Sequence, residues 1–356
     1  MVDLVDLERI AAEDEDVRTL VHAAAQLRPV QGVTIRPHPL WVQAMWRQNH
    51  ADRLGYRRDL DVLASGVLHP PDGDTSWVGR GLGETPDLWN DWLGFLDAPT
   101  RAKVEYKPIL VTVIVRAGAG RIAEVAIVVD KSAVPAVIEV RPQAELQLAT
   151  GDRIRVGAAS GTAGGFLEDA AGGRHFAVTC AHVLGSVGAG VFDPAGAAVG
   201  RCHGLTTLAA NNGGLACDPV ARPSGLSLNT LDAGLVELGV VPAPTGLLPP
   251  SILRHGQRVT LALKGGAMTF HIRSLAISMQ LTAGANGYCY ASLVELHSAA
   301  GTTAGGDSGA WGHVLGGSGR EWGVMAIGGD GISTFAVRAA DVLAWAHAIV
   351  PGLTVH

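Results

Sequence analysis

The sequence is poor in the features that would place it in a specialised class. Four Cys in 356 residues are too sparse for a disulfide scaffold. Charged residues make up only 17%, Lys occurs four times, and the formal charge is −6, so a basic nucleic-acid surface is not expected. Long apolar runs are missing too. The densest, Ile109 to Val115, is interrupted by Thr112, far short of the roughly 20 residues a membrane span needs. The first residues, Met-Val-Asp-Leu-Val-Asp-Leu-Glu, carry early acids and no apolar core of a secretory signal. Low charge and 47% hydrophobic residues exclude disorder. A soluble, cytoplasmic globular protein, with no membrane or nucleic-acid partner, is the resulting expectation.

What is present is unevenly spread. Residues 1–100 hold 16 acids against 9 Arg and no Lys, together with five of the eight Trp. Leu4, Leu7, Ile10 and Ala11, then Val17, Leu20, Val21 and Ala24, recur at helical spacing. Further helices are expected after Pro39 (Trp41, Met45, Trp46), over Asp59–Leu68, and around Trp89, Trp92, Leu93 and Phe95, with a loop at Pro70-Pro71. The acidic run 13–16 reads as a solvated helix face. Residues 1–100 therefore form an expected helical module, detachable without unfolding the rest, and a candidate surface for a regulatory or oligomeric partner. Residues 101–148 read as a small α+β connector with β-branched strands at 104–115, 124–129 and 136–140. From 149 the chain is Gly-rich with many short strands, and one apolar helical face returns at 337–349. That pattern suggests a mainly β pair of barrels closed by a helix.

Three segments carry chemistry. Phe176-Ala-Val-Thr-Cys-Ala-His182 is an apolar strand ending in a His. Asn229-Thr-Leu-Asp232-Ala-Gly-Leu places an Asp before another apolar strand, and Gly306-Asp-Ser308-Gly309 sets a Ser in a tight turn. Ser308 alone is a weak nucleophile; His182 can take its proton, and Asp232 can hold the imidazole in the needed tautomer. The amides of Gly306 and Ser308 are the expected oxyanion donors. The order His, Asp, Ser differs from that of α/β-hydrolases and subtilisin-type enzymes. Cys180, Cys202 and Cys217 with His203 lack the paired spacing of a zinc site, so buried thiols and no metal or cofactor are expected. His175, His255, His271, His297 and His313 are expected to be packing or surface residues.

On these motifs, residues 150–350 resemble the chymotrypsin/trypsin-like serine peptidases. Thr179-Cys-Ala-His182, Asp232-Ala-Gly-Leu and Gly306-Asp-Ser-Gly309 are similar to that family's His, Asp and Ser motifs, and Gly323-Val-Met-Ala-Ile-Gly-Gly329 is similar to its cleft strand. Thr162-Ala-Gly-Gly-Phe-Leu resembles intracellular bacterial members, and the connector resembles, more loosely, the plant narrow-leaf type. The resemblance implies a double β-barrel with a C-terminal helix over 149–356, and an endopeptidase acting on protein through His182, Asp232 and Ser308. It also implies a substrate pocket from Thr302, Thr303, Ala326, Ile327, Gly328 and Ser333, neutral and lined by hydroxyls. Small or medium uncharged side chains then fit best before the scissile bond, with acidic ones the alternative. Three departures stand out. No Ile-Val-Gly-Gly start precedes the His, so Asp307 has no evident amino-terminal partner; Ala326 stands where the family has Ser; and the disulfide beside the His is missing. A non-proteolytic peptide-binding scaffold and an esterase are the rival functions. A place in bacterial signalling or antiviral defence rests on analogy alone.

Overall fold

The computed structural model describes residues 2–42, 44, 93–146, 154–169, 171, 173–211, 215–250, 252–316 and 319–356. Two helices open the chain, α1 (Leu4–Glu13) and α2 (Glu15–Ala25). The apolar spacing expected there is met, since Leu4, Leu7, Ala11, Val17, Leu20, Val21 and Ala24 are all buried. Asp14 separates the two helices by capping α2, its carboxylate accepting from the amides of Asp16 and Val17. The acidic run is thus not simply a solvated face. Asp14 and Asp16 both bind Lys107, at 2.5 and 2.9 Å.

The expectation of an all-helical front is overturned by strand β1 (Val30–Pro37). β1 lies antiparallel between β2 (Ile109–Arg116) and the 18-residue β14 (Gly266–Ala283). A sheet therefore runs across the boundary drawn at residue 100. Gln31-Gly-Val-Thr-Ile is a β-branched segment that periodicity at 3.6 residues does not detect. The helix expected after Pro39 exists over the described residues 39–42 and 44, with Trp41 buried. Met45, Trp46, the 59–68 helix, the Pro70 loop, Trp89 and Trp92 lie outside the described residues.

Within 101–148 the α+β character holds, but two expected strands shift. The segment 98–106 is helix α3 (Ala98–Tyr106), and 124–129 falls in helix α4 (Ile122–Asp130) rather than a strand. The reason is topological. β2 and β3 (Ala136–Arg141) pair in parallel, and parallel neighbours need a crossover, which α4 supplies with Val125 and Val129 turned inward.

The remaining chain builds two sheets. The first runs β20-β7-β8-β12-β10-β9-β5-β6, comprising β5 (Ile154–Val156), β6 (Ala159–Gly161), β7 (Gly165–Asp169), β8 (Arg174–Thr179), β9 (Gly190–Phe192), β10 (Ala198–Leu205), β12 (Gly234–Leu238) and β20 (Leu353–Val355). The second joins β13 (Arg258–Leu263), β17 (Trp311–Gly316), β18 (Gly319–Gly329), β19 (Thr334–Arg338), β16 (Leu293–His297) and β14, and continues into β1, β2 and β3. Three short strands attach to it: β4 (Glu145–Leu146), β11 (Leu228–Asn229) and β15 (Asn286–Tyr290). The fold is mainly β and consistent with the expected double barrel: β13 also pairs with β14, closing six strands of the second sheet into a barrel, and β1, β2 and β3 extend it. The fold is closed by helix α6 (Ala339–Ile349), which buries Val342 and Ala346 as the sequence suggested.

β14 serves two cores. Leu275 and Ile277 pack with α1, α2 and the extension, while Ala276, Met279 and Leu281 pack with the barrel interiors. Side chains alternate along the strand, and an extra residue at Ile277, where Val33 pairs with Ser278 and Thr34 with Ala276, shifts the phase so that Met279 and Leu281 join Ala276 in the second core. Among the described residues no helix is long and apolar enough to cross a membrane.

Candidate active site

β8 ends at Thr179, and the short helix α5 (Ala181–Leu184) turns His182 back across the gap between the sheets. Asp232 precedes β12, which pairs with β8 in the register Gly234↔Thr179. That register brings the two side chains together across 50 residues of sequence. Nδ1 of His182 donates to Asp232 Oδ2 at 2.5 Å, and the His182 amide donates to Oδ1 at 3.2 Å. Ser308 comes from the other sheet. Its Oγ lies 3.0 Å from His182 Nε2 and 3.2 Å from the Ile327 carbonyl. A hydroxyl has one proton for these two acceptors, and only the bond to Nε2 readies it for transfer.

The nucleophile turn is tightly braced. Thr162 donates its amide to Ser308 O (2.7 Å) and its hydroxyl to Gly306 O (2.8 Å). Gly306 and Gly309 have φ of +94° and +91°, conformations suited to Gly. A Cβ at Gly309 would fall on Thr162 O and the Thr179 hydroxyl. Asp307, expected to lack a partner, has two: its carboxylate accepts from the amides of Lys264 and Ala304, each at 2.9 Å. Ser308 itself is fully buried. Asp232 is buried too, and the His182 side chain is 6% exposed.

Further side chains pack about the triad; Tyr290 and Trp311 carried no sequence signal, while Cys180 belongs to the His182 motif. Tyr290 donates its hydroxyl to Asp232 Oδ2 at 3.3 Å. Burial, and next the Asp232 charge, push that hydroxyl well above the usual tyrosine range, so it stays a donor. Cys180 donates its thiol to Ala326 O at 3.3 Å, and burial raises its pKa as well. Cys180, His182 and Asp232 converge closely enough to hold a cation, but Nδ1 and the carboxylate are committed to each other. Trp311 stacks on Trp322 with centroids 3.5 Å apart and leaves no room for a Cβ on Gly165.

Cysteine chemistry departs from expectation. Cys217 and Cys289 form a disulfide, while Cys180 and Cys202 are buried thiols. Sequence separation of 72 hid that pair. His203, once weighed with the cysteines, binds Glu237 at 3.1 Å.

Of the expected pocket residues, Ala326, Ile327 and Ser333 are buried on and beside the cleft strand β18, and the Thr303 hydroxyl bonds to Thr334 at 2.9 Å. Behind Ser333 lies an ion cluster that the neutral-pocket expectation missed. The Ser333 hydroxyl donates to Glu295 (2.7 Å); Arg141 Nη1 reaches Glu295 (2.7 Å), Asp330 (3.4 Å) and Ser333 Oγ (3.4 Å). Arg141 also binds Glu139, and Arg273 bridges Glu139 and Glu295. Burial pushes the Glu295 carboxyl up, yet Arg141, Arg273 and the hydroxyls of Ser274 and Ser333 outweigh it and hold it at about 2. Glu295 therefore stays ionised at any working pH.

Two histidines give the fold a calculable acid response. Burial, then the Arg36 charge, lowers His38 to about 4 and His255 to about 3. The unfolded chain takes up protons near pH 6.5 that the fold refuses, so stability should fall as pH drops below 6.5. Buried His255 alone would contribute a slope of about 1 kcal/mol per pH unit down to roughly pH 3. Urea midpoints measured from pH 7 to 4 should decline, and His255→Gln should flatten the decline. Parallel curves for the two proteins would refute this assignment.

No family model matches the chain, and no curated protein does. Solved structures similar to it include a glutamic acid specific serine protease, at 18% identity and TM-score 0.40, spanning 58% of this chain and 99% of that one. The active form of the Rv3671c protease from M. tuberculosis matches at 15% identity and TM-score 0.29, over 49% and 69%. Human heparin binding protein matches at 14% and 0.28, over 56% and 90%. At such TM-scores the functional reading rests on the triad geometry. The structures to which this chain is similar are chymotrypsin/trypsin-like serine proteases and their fold relatives.

Proposed function

We propose that the chain is a serine endopeptidase acting through an acyl-enzyme. The observation that carries this is the unbroken chain Asp232–His182–Ser308, at 2.5 and 3.0 Å, built from both sheets. Ser308 Oγ attacks the peptide carbonyl carbon while His182 Nε2 takes its proton. Asp232, supported by Tyr290, stabilises the imidazolium. The amides of Gly306 and Ser308 are the proposed donors to the oxyanion, each worth about 3 kcal/mol in the transition state. His182 then protonates the leaving nitrogen, the C–N bond breaks, and water repeats the sequence to release the acid.

The pocket proposal is refined by the ion cluster. Arg141, Arg273 and nearby Arg36 offset Glu139, Glu295 and Asp330, so a charged side chain entering beside Ser333 meets no uncompensated partner and would cost several kcal/mol to bury. Ala, Val, Leu or Met before the scissile bond should therefore predominate over Arg and Lys, with acidic residues second. Two measurements test the reading. A fluorophosphonate should label Ser308, whereas a peptide-binding scaffold would not react; and cleavage sites mapped in a denatured proteome should show the neutral preference. A protein that labels but hydrolyses only small esters would favour the esterase, and a majority of cuts after Arg or Lys would overturn the pocket.

A further inference from the structure

The edge of the cleft strand beside the nucleophile is already filled. β17 pairs with β18 only as far as Trp311↔Met325, with Ala326 N still donating to Ala310 O. Beyond that point the β17 side of the sheet gives way to the nucleophile turn, and residues 327–329 of β18 would present an open edge on that side. They do not. β4 lies antiparallel along it, Leu146 opposite Gly328 and Glu145 opposite Gly329, while β19 holds the other edge. The direction matters. Antiparallel to β18, the chain at Leu146 is heading toward Ile327, whose carbonyl is 3.2 Å from Ser308 Oγ. An extended peptide added to this edge in this sense would deliver its own carbonyls to the nucleophile.

β4 is anchored from behind rather than lying loose. Gln31 of β1 donates to Pro142 O (2.7 Å) and accepts from the buried Ala144 amide (3.0 Å). Thr282 of β14 donates its amide to Ala144 O (3.0 Å), and Arg141 is locked into the Glu139–Glu295–Asp330 cluster. The burial of Ser308, Ala326 and Ile327 agrees with a covered cleft.

We infer that β4 is an intramolecular occupant of the slot for the substrate backbone, delivered by β1 and β3, so that the enzyme rests self-covered and a substrate must displace it. This rests on the peptidase reading above. A tethered competitor lowers the competent fraction, and the apparent KM rises by the inverse of that fraction while kcat is untouched.

Of two successive strand residues, one points its N–H at β18 and the other away, so Glu145→Pro and Leu146→Pro between them remove a ladder bond. Both full-length variants are assayed for fluorophosphonate labelling and for cleavage of a peptide with four residues before the scissile bond. Labelling with a KM at least tenfold below wild type in one variant, at unchanged kcat, is expected. Labelling with wild-type KM in both overturns the inference while leaving the peptidase reading intact; no labelling in any protein, wild type included, overturns both. Since a proline could unfold the chain, the wild type supplies a second measure. When a peptidyl phosphonate occupies Ser308, amides of residues 143–146 should exchange hydrogen at least tenfold faster; unchanged exchange overturns the inference.

Discussion

Ser308→Ala is expected to reduce peptide cleavage by about 10⁶-fold while the protein melts within a few degrees of wild type. The change removes one oxygen whose bonds go to His182 and the Ile327 carbonyl, and it leaves the turn's own bracing by Thr162 and Asp307 in place. His182→Ala should be equally severe, because the base and the nucleophile act as one unit, and the double variant should be no worse than either single one. Asp232→Asn should cost about 10⁴-fold, since an amide can present its NH₂ to Nδ1 and fix the wrong tautomer. Steady-state kinetics on one peptide, with calorimetry for folding, decides the matter. A Ser308→Ala protein that retains cleavage at even a tenth of the wild-type rate would mean that the nucleophile lies elsewhere.

Deleting residues 1–100 should abolish folding. The deletion strips β1 from between β14 and β2, leaving both with unpaired edges, and uncovers Leu275 and Ile277. It also removes Leu4, Leu7, Val17, Leu20, Val21, Val33 and Ile35, all buried. At about 1.5–3 kcal/mol for each large side chain, the lost burial matches or exceeds the roughly 5–15 kcal/mol by which domains are stable. The truncated chain should be insoluble or lack a cooperative melt. A soluble truncated protein melting like the parent would show that the extension is an appendage after all.

The site was more legible than its surroundings. His182, Asp232 and Ser308 each sit in a short local context, a strand end or a tight turn, that can be read without knowing what packs against it. The same holds for α1, α2 and α6, where apolar spacing along one helix suffices. What escaped was non-local. The β1 strand is defined by its pairing with a segment some 240 residues away, α4 by the parallel register of its neighbours, and the Cys217–Cys289 pair and Arg141–Glu295 contact by tertiary approach. Glu124 to Val129 is apolar on nearly every side, so neither periodicity could decide between helix and strand. The ion cluster behind Ser333 was hidden for the same reason, because Glu139 and Arg141 come from β3, outside the segment that resembles a peptidase, to meet Arg273, Glu295 and Asp330 within it.

Asp307 carries a consequence for how such an enzyme would be made. Its carboxylate accepts hydrogen bonds from two main-chain amides, those of Lys264 and Ala304, that every copy of the chain possesses. Nothing has to be severed for that charge to find its counterpart, and no lysine or arginine variant could deprive it of one. The bonds that hold Asp307 in the nucleophile turn therefore draw only on the chain's own main-chain amides and need no freed amino terminus.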